Sequence, residues 1–207
     1  EIRKHRFTQG MKLEVFDFLT HHIYIARIGA IHDEYYFDVI VDNDQEGERS
    51  FVSYSTDPRL LPVHWAAEHK LALLNGRSVR QPDDYWNVYT EKYVLAGVAP
   101  DRCFSLITLN ATGYNRAEPG MKLELVHTLE NRDHVFSVTI THIVEHLMWL
   151  RVDDPRRSAS AQLCYHVVPI NSLDVFPVGW AKFNGFELIT PLQYRMDVRT
   201  FEQNRNE

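Results

Sequence analysis

The residues of this chain with the clearest potential for chemistry are a histidine and glutamate cluster at 142–146. It reads His-Ile-Val-Glu-His, a spacing that lets two histidines on one helical face bind zinc beside a glutamate base. The β-branched neighbours Ile140 and Thr141, with the Ile and Val inside the cluster, predict a strand instead. On a strand, side chains four residues apart lie about 13 Å apart, which is too far for one zinc ion. The cluster therefore predicts no metallopeptidase.

Other polar residues do not assemble into a catalytic or metal-binding pattern. His21, His22 and His64 have no third ligand at a suitable spacing. The two cysteines, Cys103 and Cys164, are too few for a disulfide framework and lack the paired spacing of a zinc site, so we expect both to be reduced and buried. No nucleophile elbow and no phosphate-binding glycine loop is present. We predict a binding module without metal or cofactor, and not an enzyme.

Composition restricts the partners that such a module could bind. Of 207 residues, 44% are apolar and 24% are charged, the balance of a soluble folded protein. The net charge of −6 makes specific DNA binding unfavourable, because phosphates are bound by clustered Lys and Arg. A basic partner suits this charge better. No apolar run approaches the roughly 20 residues of a membrane span, and the N-terminus lacks a signal peptide's apolar stretch. We therefore expect a cytosolic or nuclear protein that does not contact membranes.

An internal repeat organises the chain. The pentapeptide Gly-Met-Lys-Leu-Glu at 10–14 recurs unchanged at 120–124, and Pro-Val-His-Trp at 62–65 returns as Pro-Val-Gly-Trp at 177–180. The two shifts, 110 and 115 residues, differ by five. We place these five extra residues of the second copy within the polar segment 156–162. Two markers in the same order predict two copies of one folding unit.

Local patterns predict the elements that make up each copy. Segments 23–28, 35–41 and 136–144 are rich in β-branched and aromatic residues and are separated by short polar turns. This pattern favours a mainly β fold of two tandem small antiparallel barrels. Between the copies, Trp86, Tyr89 and Tyr93 have the spacing of an amphipathic helix of about three turns. We expect this helix to begin after Pro82 and to end before Gly97.

These features resemble the malignant brain tumour (MBT) repeat family over nearly the whole chain. The pentapeptide, the late Pro-Val-x-Trp and a tryptophan-bearing arm that ends in Ala99-Pro100 and Phe104 carry the resemblance. It is greatest to the last two repeats of proteins that have four. The resemblance implies Tudor-like barrels, each with a helical or extended arm. We expect one repeat at 1–80 without its arm, a second at 81–197 with its arm at 82–104, and a polar tail at 198–207.

The resemblance also implies where a methylated lysine would bind. In binding-competent repeats of this family an aspartate follows Lys-Leu-Glu by two apolar residues, and aromatic rings form a cage for the methylammonium. The first copy keeps the aspartate, Asp17, although a role as a turn or cap residue is equally compatible with its position. The ring segment reads Val-Asp-Asn-Asp at 41–44 and so ends in Asp44, while the third ring position falls near Arg49, with Phe51 close by.

The second copy departs further from the family pattern. Its acid position is His127, its ring segment at 152–155 reads Val-Asp-Asp-Pro, and Tyr165 lies near the third ring position. Valine and proline have no π face for a cation. We therefore expect degraded methyl-lysine cages in both repeats, with Asp17, Asp44, Phe51 and Tyr165 as the remaining candidate ligand-binding residues.

Taken with the resemblance, these residues imply a function. We expect a chromatin-associated module of a nuclear transcriptional repressor, which binds histone tails or nucleosomes, methylated lysine among them, and other chromatin-repressor proteins. The alternative is a structural scaffold for protein–protein interaction without histone contact. The acidic residues 42, 44, 46 and 48 could face a basic tail or simply solvent. We expect Trp65 and Trp180 to pack in the cores of the barrels.

Overall fold

The chain folds into two compact units, Glu1–Thr108 and Leu109–Glu207. A computed structural model describes residues 3–42, 49–92, 97–104, 117–129, 132–153 and 165–189. Each unit contains one curled antiparallel sheet with few helical residues, so the predicted mainly β architecture is confirmed. Within the described residues, no helix is both long and apolar enough to cross a membrane.

The first sheet has the strand order β4-β3-β2-β1-β5, and β6 adds to β2 in parallel. Its strands are β1 (Lys12–Asp17), β2 (His22–Ile31), β3 (Tyr36–Val41), β4 (Ser50–Tyr54), β5 (Leu60–Leu61) and β6 (Leu73–Leu74). Strand β1 lies between β2 and β5, so both of its edges are paired. Its four central residues are buried, so both faces of this strand are covered. The helices of this unit are α1 (Trp65–Glu68) and α2 (Tyr85–Lys92), followed by a 3-10 turn at Asp101–Cys103.

The second sheet repeats this arrangement in the order β10-β9-β8-β7-β11. Its elements are β7 (Lys122–Leu129), β8 (Arg132–Val144), β9 (Leu147–Val152), β10 (Tyr165–Pro169), β11 (Val175–Pro177) and helix α3 (Trp180–Asn184). The expected extra residues at 156–162 lie outside the described residues. Residues 142–144 of the zinc-like cluster end β8, which confirms the strand predicted there. Glu145 and His146 lie in the turn to β9, so the expectation that both histidines share one strand was wrong.

Each barrel has its own apolar core. Leu13, Val15 and Val39 are among the residues of the first core with at most 2% of their surface exposed, and Leu150 and Val138 are fully buried in the second. Cys103 is buried in the first core without a disulfide, as predicted, whereas Cys164 lies outside the described residues. Because side chains alternate between the two faces of a strand, Leu13 and Val15 of β1 enter the first core together.

The segment after α2 packs against the first barrel. The backbone of Lys12 accepts a hydrogen bond from Ala99 at 2.9 Å and donates one to Gly97 at 3.0 Å. Ala99 and Cys103 belong to the first core, and Phe104 meets the ring of Phe7 edge to face at 5.4 Å. Helix α2 is described over two turns, and Tyr93 lies outside the described residues. The assignment of 82–104 to the second repeat, with the boundary at residue 80, stays a prediction.

The two copies use the same backbone turn before the short helix that follows β5 or β11. Gly179 has a φ of +97° and His64 has a φ of +73°, both in the left-handed region. Glycine adopts this conformation freely, whereas a residue with a Cβ is strained there. The first copy therefore carries backbone strain at His64 that the second copy avoids.

Introducing glycine at this turn in the first copy and removing it in the second should change the free energy of unfolding in opposite directions. His64→Gly should raise the free energy of unfolding by roughly 0.5–1 kcal/mol, because it relieves left-handed strain. Gly179→Ala should lower it by about 1 kcal/mol through strain alone, since no atom lies within 4 Å of the new Cβ. Urea denaturation of both variants measures these changes. A loss of stability in His64→Gly would contradict the account.

Candidate functional site

A buried glutamate from the repeated pentapeptide joins the sheet of each unit to the short helix that follows its last strand. Glu14 is fully buried on β1, and its Oε2 accepts the Ala66 backbone N–H at 2.7 Å. Its Oε1 accepts the indole N–H of Trp86 at 2.7 Å. In the second copy Glu124 accepts the N–H groups of Gly179 at 2.8 Å and Ala181 at 2.6 Å. Each carboxylate therefore fastens the first turn of α1 or α3 to the sheet.

Burial has an electrostatic consequence at Glu14. It raises the pKa of this carboxyl group to about 7, although the hydrogen bonds from Ala66 and Trp86 oppose the rise. Burial in a low dielectric disfavours the charged form, and donated hydrogen bonds favour it. Glu14 therefore titrates near neutral pH.

A second repeated interaction joins the pentapeptide lysine to an aspartate at the end of β3 or β9. Asp42 is 8% exposed and accepts hydrogen bonds from Lys12 and, at 2.7 Å, from Arg27. Asp153 accepts hydrogen bonds from Lys122 at 2.7 Å and from the hydroxyl groups of Thr139 and Ser137. Burial alone would raise the pKa of Asp153, but these hydrogen bonds outweigh it and the pKa is lowered.

The ion pairs of Asp42 alter the interpretation of the acidic run. Asp42 points at Lys12 and Arg27 of its own barrel and so does not face a basic tail. The other three acidic residues of the run, Asp44 included, lie outside the described residues. Pairing with two cations offsets the cost of burying this carboxylate.

Asp17, the candidate acid of the pocket, forms a turn at the end of β1. Its Oδ1 accepts the backbone N–H of Leu19 at 2.8 Å and that of Thr20 at 3.4 Å. Its carbonyl oxygen accepts the N–H of His21 at 2.8 Å. These bonds are those of an aspartate that stabilises a turn. The carboxylate is partly exposed, and its role in ligand binding stays a prediction.

Near this turn the guanidinium of Arg49 lies over the aromatic ring of Tyr24. Tyr24 on β2 is 2% exposed, and its hydroxyl lies 3.4 Å from Thr20 Oγ1. The Cζ of Arg49 lies 4.6 Å from the centroid of the Tyr24 ring, and its Nη2 donates to the Gly76 carbonyl at 3.2 Å. We call Asp17, Thr20, Tyr24, Arg49 and Gly76 the barrel-end cluster. A cation already occupies the position over its ring.

Hydrogen bonds also set the ionisation of this tyrosine. Burial alone would raise the pKa of Tyr24, but hydrogen bonds with Thr20, Ser78 and Arg49 outweigh burial, and the pKa is lowered. Tyr24 was not among the residues that the sequence singled out. It lies within an ordinary apolar strand pattern, and only the unusual arginine at the third ring position points toward it.

Phe51 is engaged elsewhere in the first barrel. The Arg59 guanidinium lies 3.9 Å from the centroid of its ring and donates to both oxygens of Asp57, which is 5% exposed. Phe51 pairs with Val39 next to Ile28 of β2, whereas Asp17 pairs with His22. These two positions are six residues apart on β2, about 20 Å along a strand. The structure does not bring Phe51 to Asp17.

The candidate positions of the second repeat are described only in part. Tyr165 is the first residue of β10 and pairs with Arg151, and His127 on β7 pairs with His134. Their side chains lie outside the described part of the structure. Across the residues that the structure does describe, no three His, Cys, Asp or Glu side chains are arranged to hold a metal ion.

Comparison with known proteins identifies relatives of both repeats. The family model described as mbt repeat matches residues 11–88 and 121–195. The chain is 30% identical over 198 residues to Scm-like with four MBT domains protein 1 of Rattus norvegicus, covering 94% of this chain and 22% of that protein. It is 28% identical over 189 residues to MBT domain-containing protein 1 of Xenopus laevis, covering 89% and 28%. The chain thus spans about a quarter of the length of these relatives.

A solved structure has the same fold. The crystal structure of the four MBT repeats of Drosophila melanogaster Sfmbt, in complex with the peptide RHR(me)KVLR, matches with a TM-score of 0.66 and 24% identity. The match covers 89% of this chain and 41% of that chain. At this identity the likeness concerns the fold.

The raised pKa of Glu14 predicts a specific pH dependence of stability. The unfolded carboxyl loses its proton near pH 4.5 and the folded one near pH 7. Between these values the folded state binds more protons, so this group's contribution to stability falls as the pH rises. The free energy of unfolding of the natural chain, relative to Glu14→Gln, should fall by about 2–3 kcal/mol from pH 5 to pH 7.5. Urea denaturation at both pH values measures it; an unchanged difference would contradict the prediction.

Proposed function

Since this chain belongs to the MBT repeat family, we propose that it is a chromatin-associated module that binds histone tails or nucleosomes in a transcriptional repressor. The family match and the length of the relatives support a module within a longer nuclear protein. The peptide complex of the Sfmbt repeats supports a lysine-containing peptide as the type of partner. The net charge of −6 favours a basic partner of this kind.

In the first repeat an arginine lies over each of two aromatic rings, Tyr24 and Phe51. This observation supports the proposal that its methyl-lysine cage is degraded. A methylammonium gains about 0.5–2 kcal/mol from each aromatic face that it contacts. Arg49 lies over Tyr24, and Arg59, fixed by the buried carboxylate of Asp57, lies over Phe51. A methylated lysine would have to displace these guanidinium groups. We therefore propose that the methyl-lysine cage of the first repeat is degraded.

The second repeat is proposed to read methyl-lysine weakly as well. His127 replaces the acid, and Val-Asp-Asp-Pro at 152–155 supplies no ring. In this proposal both repeats contribute shape and charge to docking, and selective recognition of the methyl mark resides elsewhere in the longer protein. The module needs no cofactor and catalyses no reaction, and other chromatin-repressor proteins are further partners.

A second candidate function is a protein–protein scaffold without histone contact. It is favoured by one specific observation, the exposure of large apolar side chains around α3 in the second repeat. Phe183 is 89% exposed and Val178 is 66% exposed. Several exposed large apolar side chains around one helix are typical of a protein-binding site.

A titration with histone-tail peptides tests the proposed function. Unmodified, mono-, di- and trimethyl-lysine peptides are added to the full isotope-labelled chain while backbone amide shifts are followed by NMR. We expect saturable shifts with dissociation constants that agree within about twofold across the methylation states, because no free cage discriminates them. Absence of binding by every peptide at millimolar concentration would replace the proposal with the scaffold function.

The variant Asp17→Asn is a matched control for the degraded cage. Its amide oxygen can still accept the N–H of Leu19, so the turn is preserved, but its charge is removed. We expect no change in selectivity between methylation states. A tenfold or greater preference for a methylated peptide that disappears in Asp17→Asn would establish a working pocket and overturn the degraded-cage proposal.

A further inference from the structure

The short helix that follows the last strand of each repeat is covered in one copy and open in the other. In the first repeat Trp65 of α1 is 1% exposed and Trp86 of α2 is 2% exposed. The Trp86 indole shares the Glu14 carboxylate with the backbone of Ala66 at the start of α1. Helix α2 therefore packs over the glutamate and the first turn of α1.

In the second repeat the corresponding surface is exposed. Phe183, Val178, Phe186 and Leu188 are 89%, 66%, 44% and 44% exposed, and Trp180 is only partly buried, contrary to the prediction of a core residue. We call these five residues the α3 face. Leu73, the counterpart of Leu188 at the 115-residue shift, is 8% exposed.

Two aromatic rings of the α3 face, Trp180 and Phe186, belong to an ordered stack with Phe176. Trp180 is stacked between Phe176, at 3.9 Å and 15° between ring planes, and Phe186, at 5.4 Å and 9°. The stack fixes the orientation of the Trp180 ring, and the ring edges offer an apolar surface against which another aromatic side chain can pack edge to face.

The carboxylate of Glu124 beneath the α3 face can accept further hydrogen bonds. Both oxygens of Glu124 accept backbone N–H groups, but no indole among the described residues donates to this carboxylate. A carboxylate oxygen can accept two hydrogen bonds. The first repeat shows the use of this capacity, since Trp86 donates to the matching oxygen of Glu14.

We propose that the α3 face is a docking site for a tryptophan-bearing helix of the α2 type, supplied by a partner. The tryptophan would pack beside Trp180 and donate its indole N–H to Glu124, as Trp86 does to Glu14. The occupant is inferred from the covered copy of the same surface within this chain. The site lies in the second repeat, whereas the barrel-end cluster lies in the first, so the proposal does not depend on methyl-lysine binding.

Fluorescence anisotropy of a labelled peptide with the sequence of residues 82–104 tests the proposal against the full chain. This peptide contains the Trp-Asn-Val-Tyr segment of α2, and the chain's own copy already occupies the first repeat. We expect saturable binding that is at least tenfold weaker for a peptide carrying Trp86→Ala. Binding should also weaken at least tenfold in Phe183→Asp, an exposed position whose substitution preserves the fold.

The matched protein control is Val52→Asp, which places the same charge on a 56% exposed valine of the first repeat. It should bind the peptide as tightly as the natural chain, and thermal unfolding should show that both variants fold. NMR shifts should fall on Gly179, Trp180 and Phe183. No binding at millimolar peptide, equal binding of the Trp86→Ala peptide, or shifts confined to the first barrel through displacement of α2 would each overturn the proposal.

Discussion

A buried carboxylate on the strand next to the edge of each sheet fixes the structure around it. A fully buried glutamate is costly unless its oxygens are satisfied, and Glu14 meets this requirement with the Ala66 and Trp86 N–H groups. Because Glu14 lies on β1, the strand paired on both edges, those bonds tie the short helix α1 to the most buried part of the sheet. The same bonds position Trp65 against the core and hold α2 on the barrel. In the second repeat Glu124 likewise ties the short helix α3 to its sheet.

The two repeats share this buried glutamate and short helix, but they differ in which aromatic side chains are accessible. In the first, α2 covers the helix end, and the barrel's own arginines lie over Tyr24 and Phe51. In the second, the stacked rings around Trp180 remain open. In the first repeat the aromatic rings are thus covered by side chains of the same chain, whereas in the second repeat the rings around Trp180 remain accessible.

The sequence predicted the repeated parts of the fold and not the contacts between distant strands. Two copies of Gly-Met-Lys-Leu-Glu placed both barrels, and β-branched residues placed residues 142–144 on a strand. The pairing of Arg59 with Phe51 depends on how β4 lies beside the loop before β5, which no local pattern encodes. Nor could periodicity predict the exposure of Trp180, since burial of a tryptophan depends on which segment covers it. Asp42 was misjudged for the same reason, as Lys12 and Arg27 reach it only across the sheet.

The central claim is that the Glu14 carboxylate couples helix α2 to the barrel. A double-mutant cycle tests it most directly, with urea denaturation at pH 8.5, where Glu14 is ionised, of the natural chain, Glu14→Met, Trp86→Phe and the double variant. A charge-assisted hydrogen bond in a buried site predicts a coupling energy of roughly 1.5–3 kcal/mol. Additivity of the two single changes within about 0.5 kcal/mol would contradict the claim, because independent residues behave in that way.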